Sequence, residues 1–139
     1  MRGKVTSLLL FHHTRPYKDL KAALKKLAFP TVRAQSFAEA CRLLSRVNPP
    51  LLVFTESELP DGDWSDVVSL SARASSHVSV IVVGQEIDTK LYAAVIHVGA
   101  RDFIAPPFDA QGLSHVVRCA ADSALAHRQG AANPHPCTQ

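Results

Sequence analysis

A chain of 139 residues with 47% hydrophobic content can build one sizeable core, and it is too short for two independent domains of ordinary size. No apolar run approaches the roughly 18 residues of a membrane span, and the basic start MRGKVTSLLLFHH has too short an apolar stretch for a secretory signal. A soluble, cytoplasmic protein is the expectation. The net charge of +3 is unevenly placed, because residues 1–33 hold eight Lys/Arg against one acid, net +7, and the remainder carries −4.

In chain order, the first apolar run is Ser7 to Phe11, sized for a strand. Leu20, Ala23, Leu24 and Leu27 then repeat at helical spacing after Pro16, which suits a first turn. The weaker run Pro30 to Ala34 predicts an edge strand, since proline is tolerated at its start. Ser36 and Glu39 have capping-box spacing and open a second helix that turns Ala40, Leu43, Leu44 and Val47 inward before Asn48-Pro49-Pro50 stops it. Leu51 to Phe54, Val78 to Val83 and Phe103 to Ala105 supply three further strands. Helices follow over Trp64–Ala74, Asp88–Val98 with Gly99 as a stop, and Asp109–His127, with Asp63, Asp88 and Asp109 as N-caps.

The strand runs are continuously apolar rather than alternating, which predicts a parallel sheet covered on both faces. Five such strands alternating with five helices make a doubly wound α/β sheet and fall short of the eight units of a barrel. Residues 1–128 form the domain, and 129–139, QGAANPHPCTQ, read as a disordered tail. Three widely spaced cysteines fit neither a disulfide framework nor a CxxC zinc site, and Cys41 and Cys119 fall in helical patterns as reduced core thiols.

Several chemistries are excluded. No serine sits in a G-x-S-x-G turn, no cysteine follows a strand, and no glycine-rich phosphate loop is present. The basic segment lacks a DNA-binding helix pair or an aromatic sheet surface, and the acidic remainder repels phosphates, so no nucleic-acid partner is expected. Arg15, Lys18, Lys21, Lys25 and Lys26 read either as a solvated helix face or as a surface for an acidic partner.

In open parallel sheets the chemistry lies beyond the carboxyl ends of the strands, which directs attention to His12 and His13, to 55–63, to Gly84 and Gln85, and to Pro106-Pro107. Here the order LLVFTESELPDGDW, VSVIVVGQ, VGARDFIAPPFD resembles the receiver domain of bacterial two-component response regulators, over residues 4 to about 128. The most specific pieces are the turn Leu59-Pro60-Asp61-Gly62 and the stretch Gly99 to Phe108. The resemblance implies the flavodoxin-like receiver fold, with strand order 2-1-3-4-5. It also implies a cis bond between Pro106 and Pro107.

Receivers carry a magnesium-binding acid pair after the first strand, a phospho-accepting Asp four residues before the turn proline, a Thr or Ser ending the fourth strand, and a Lys before the proline after the fifth. This chain departs at each position. The acid pair falls on Phe11-His12, or on His12-His13 with a slip of one; Glu56 stands at the acceptor position, Gly84 at the hydroxyl and Pro106 at the lysine. Imidazole and phenyl substitute poorly for the carboxylates that a hard magnesium ion requires. The extra methylene of Glu56 displaces its carboxylate by about an ångström, enough to upset in-line transfer. Glu56 is therefore either a mimic of a phosphorylated aspartate or a polar residue in a dead pocket. Phe103 holds the position of the family's switch aromatic and is expected to pack permanently inward beside Gly84.

The expectation is a non-enzymatic pseudo-receiver, without cofactor or metal, that acts through protein contacts in a two-component, phosphorelay or related pathway. The resemblance places its contact face on the fourth helix, fifth strand and fifth helix, including Lys90, Tyr92, Arg101 and Phe103, with a homodimer as one use of that face. Alternative readings are a metal or small-anion pocket at His12, His13 and Glu56, and a phosphorylated receiver.

Overall fold

The computed structural model describes residues 6–128. The expected tail at 129–139 and Cys137 lie outside the described residues. The elements run β1 (Ser7–Leu10), α1 (Thr14–Lys26), β2 (Thr31–Ala34), α2 (Phe37–Leu44), β3 (Leu52–Glu56), a two-stranded hairpin of β4 (Glu58–Leu59) and β5 (Gly62–Asp63), α3 (Trp64–Ala72), β6 (Ser79–Val83), α4 (Thr89–Val98), β7 (Asp102–Ile104) and α5 (Ala110–Arg128). The main sheet is parallel, in the order β2-β1-β3-β6-β7.

Alternate strand residues feed two cores. Leu8, Leu10, Val53, Val80 and Val82 face α2, α3 and α4, while Leu9, Phe11, Leu52, Phe54, Ile81 and Val83 face α1 and α5. Burial on both faces is why the strands are continuous in hydrophobicity, and each buried aliphatic side chain contributes about 1.5–3 kcal/mol.

The caps hold as the sequence reads them. Ser36 Oγ accepts from the Glu39 amide at 3.2 Å, Asp88 Oδ1 accepts from Lys90 and Leu91 at 3.1 Å each, and Asp109 Oδ2 accepts from Gly112 at 2.8 Å. Asp63 and Asp66 form a reciprocal capping box, and the Ser65 hydroxyl bonded to Asp63 holds that carboxyl below its ordinary range. Gly99, at φ +123°, ends α4 in the left-handed region open to glycine. The Pro106-Pro107 peptide is cis.

Helix α1 starts at Thr14, and Pro16 lies in its first turn as the sequence suggests. One local reading needs correction: helix α2 stops at Leu44, and Val47 is 82% exposed instead of buried. Residues 46–50 double back there to start β3, and Arg128 from α5 donates to the carbonyls of His77, Pro49 and Pro50 at 2.8–3.1 Å.

Candidate functional site

At the carboxyl edge, the parallel register sets Leu10 beside Thr55, so the chain beyond β1 passes over the end of β3, where Glu56 is the last residue. The 12–13 turn then folds back onto that residue. Glu56 Oε1 accepts from the backbone amides of His12 at 2.5 Å and His13 at 3.1 Å, and Oε2 lies 2.8 Å from His13 Nδ1. Both carboxylate oxygens are therefore engaged by the β1–α1 loop. The Glu56 side chain is 12% exposed and that of His13 65%, so the imidazole covers the carboxylate from the solvent side.

The loop is held from the other side by a residue that sequence reasoning missed. Arg33 of β2 donates to the Phe11 carbonyl from Nε at 3.4 Å and from its terminal nitrogen at 3.2 Å, while its guanidinium lies 4.0 Å over the Tyr17 ring. A second missed contact belongs to the Pro60-Asp61 turn. Asp61 accepts from the Phe37 and Ala38 amides at 2.7 and 3.1 Å, tying the β4–β5 hairpin to the start of α2. The Phe37 bond, foremost, lowers the Asp61 carboxyl from its ordinary range. The hairpin's own signal, Leu-Pro-Asp-Gly, is visible in the sequence; its partner on α2 is not.

A cleft of about 480 Å³ opens beside Glu56, lined by Phe11, His13, Arg15, Asp19, Glu58, Gly84 and Pro106 among others. Glu56, Gly84 and Pro106 thus converge, as the motif positions imply. Phe11 is fully buried and contributes a phenyl ring where a metal carboxylate would be needed, and His12 offers its amide rather than its ring to Glu56. The His12 and His13 rings stand edge to face with centroids 5.3 Å apart. Among the described residues, no three potential ligands gather to hold a metal ion. These residues do not fit magnesium, because the Glu56 carboxylate already accepts two backbone amides on Oε1 and meets the His13 ring nitrogen at Oε2, with Phe11 in place of a second carboxylate.

Gly84 has a specific spatial role. A Cβ there would lie 2.6 Å from Phe103 Cζ and 2.9 Å from Cε1, so the ring fills the volume of the missing side chain. Phe103 is 7% exposed, packs inward as the sequence reading has it, and meets Tyr92 of α4 edge-on with centroids 6.3 Å apart. Its placement on the outward contact face therefore needs correction, since the ring is core. Of the other named face residues, Lys90 and Tyr92 are exposed and Arg101 is half-buried. Around Tyr92, α4 also exposes Ile96 and Val98, with Ile87 just before it; Val95 alone of the helix is buried.

No protein-family model matches the chain. It is 28% identical over 122 residues to the photosynthetic apparatus regulatory protein RegA of Cereibacter sphaeroides, covering 87% of this chain and 66% of that protein. The RegA of Rhodovulum sulfidophilum is 26% identical over 113 residues, covering 81% and 61%. The chain thus spans somewhat less than two thirds of these curated relatives. Among solved structures, the signal receiver domain of an HD domain-containing protein from Pseudomonas fluorescens superposes with a TM-score of 0.79 at 22% identity, covering 93% of this chain and 95% of that one. The receiver domain of a putative LuxO repressor from Vibrio parahaemolyticus gives 0.77 at 21% identity, covering 94% and 99%. The fold is that of a response regulator receiver domain. Within this fold the carboxyl-edge cleft is lined by Glu56, Gly84 and Pro106.

Proposed function

We propose that the chain is a pseudo-receiver, a signalling module that works through protein contacts without phosphoryl transfer. The observation that carries this reading is the closed Glu56 site. A carboxylate that accepts two amides on one oxygen and meets an imidazole nitrogen at the other is already engaged on both oxygens, and it performs internally the bridging between β1 and β3 that a bound cation would provide. The surrounding positions support it. Gly84 has no hydroxyl and its space is taken by Phe103, and Pro106 has no ammonium to neutralise a phosphoryl group. Glu56 then acts neither as acceptor nor as an outward-reaching mimic, but as the anchor of the β1–α1 loop.

The contact face of this reading is α4 with β7 and α5, and its occupant is a second copy of the chain. Support comes from the exposed apolar residues of α4, with Tyr92 and Ile96 one turn apart on the same face and Val98 at its end. No described helix is long and apolar enough to cross a membrane, and cytoplasmic signalling is part of the same proposal. Catalysis is not.

The test is intact mass after incubation with acetyl phosphate and magnesium. The expected spectrum is unchanged, and Glu56→Asp should remain inert because the acid pair is still missing. A stable gain of one phosphoryl group that disappears in Glu56→Gln would overturn the reading.

A further inference from the structure

Strand β2 ends the sheet, and its outer side pairs with no described residue. Pro30 and Ala34 direct their carbonyls to the Ser7 and Phe11 amides of β1, so by the alternation of a strand the backbone groups of Thr31 and Arg33 point outward. Such an edge is a template for another strand. Beside it lies a groove of about 300 Å³ formed by Lys21, Lys25, Ala28, Phe29, Pro30 and Thr31. Val32 is 45% exposed on the strand itself.

The start of this edge is basic, while Glu39 accepts the Gln35 amide just past its far end. Lys21 and Lys25 are one helical turn apart, a like-charge spacing that costs about 0.2–0.5 kcal/mol in a helix. Among the described residues neither they nor Lys18 have a carboxylate within ion-pair distance, the one such pair being His13 with Glu56. Lys21 instead sits 5.6 Å from the centroid of the Tyr17 ring, whose other cation is Arg33. A second copy offering its own β2 would bring a like-charged edge against this one, so the charge disfavours self-pairing. It favours an acidic strand. A long phosphate polymer is disfavoured, because past the amino end of α1 it would run onto Asp19, Glu56 and Glu58 around the cleft.

We propose that the β2 edge takes up an extended acidic segment of a partner protein, which pairs with Thr31 and Arg33 and neutralises Lys21 and Lys25. The mode is strand addition, with main-chain bonds supplying affinity and the flanking lysines supplying selectivity. This rests on the reading of the chain as a protein-contact module and is independent of whether α4 pairs two copies.

The experiment uses the full chain and a fluorescein-labelled peptide of alternating glutamate and valine, about eight residues long so that it overhangs a four-residue strand. Anisotropy should report saturable binding that weakens steeply with salt and drops about tenfold or more in Lys21→Glu/Lys25→Glu. Thr31→Pro, which removes an outward donor and leaves the β1 ladder intact, should weaken binding too. The Thr31 and Arg33 amides should gain exchange protection with peptide bound. An unchanged urea midpoint shows that each variant is folded. The inference is overturned by no binding, by binding indifferent to the lysine reversal, by protection that maps to α4, or by tighter lysine-dependent binding of a short DNA duplex or phosphatidylserine vesicles. The acetyl phosphate assay reads Glu56 alone, so the two proposals can fail separately.

Discussion

Replacing Gly84 by alanine tests whether Phe103 is locked in place by packing. The added Cβ would sit 2.6 Å from one ring atom and 2.9 Å from another, closer than side-chain carbons approach in folded proteins, so the ring must move. If Phe103 stays inside, overpacking costs about 1–3 kcal/mol. If it swings out, the lost burial of a phenyl ring costs about 1.5–3 kcal/mol. Either cost is offset by about 0.5–1 kcal/mol from removing a flexible glycine, since Gly84 has no positive φ to forbid alanine. The net expectation is a loss of about 1–2 kcal/mol. With a urea slope of about 2 kcal/mol per molar, the midpoint should fall by roughly 0.5–1 M. Urea unfolding followed by the single tryptophan, Trp64, packed against the same core as Phe103, reads this directly. The decisive arm is the double variant. In a Phe103→Ala background the obstructing ring is gone, so Gly84→Ala should become neutral or mildly stabilising. An equal penalty in both backgrounds would refute the packing argument.

Three further outcomes are expected. Glu56→Ala frees the His12 and His13 amides and should cost about 1–2 kcal/mol, with faster hydrogen exchange at those two amides; exchange unchanged from wild type would show that the carboxylate does not hold the loop. His77 is pushed below its ordinary value of 6.5 by burial first, then by the charges of His127 and Arg128. The unfolded state then binds the extra proton, so stability is full above 6.5 and declines as pH falls through the folded value; His77→Gln should flatten the midpoint-against-pH curve below 6.5, and an unaltered curve would contradict the assignment. Light scattering at high micromolar protein should give a dimer that Tyr92→Glu and Ile96→Glu dissociate, and that acetyl phosphate leaves unchanged. A monomer at that concentration would count against α4 as a self-association face.

Much of the architecture was legible in the chain because it is written in local pattern. Unbroken apolar runs at 7–11, 51–54 and 78–83 require cover on both faces, and Ser36, Asp63, Asp88 and Asp109 each sit one residue ahead of a helix whose amides they cap. That 56, 84 and 106 belong at one strand edge was legible too, since each follows an apolar strand run. What those residues do to one another was not. Glu56 reaches amides 43 and 44 residues away, Asp61 caps a helix that begins 24 residues earlier, and Arg33 fastens a carbonyl 22 residues before it. Periodicity records which side of an element is apolar, and it is silent on which polar groups meet once the sheet has closed. Val47 marks the same boundary, its apolar spacing continuing a helix that the return of the chain into β3 ends at Leu44. The inward Phe103 ring belongs to both accounts, for a glycine at 84 leaves room that the sequence reveals, while only the packing of β6 against β7 brings that ring to fill it.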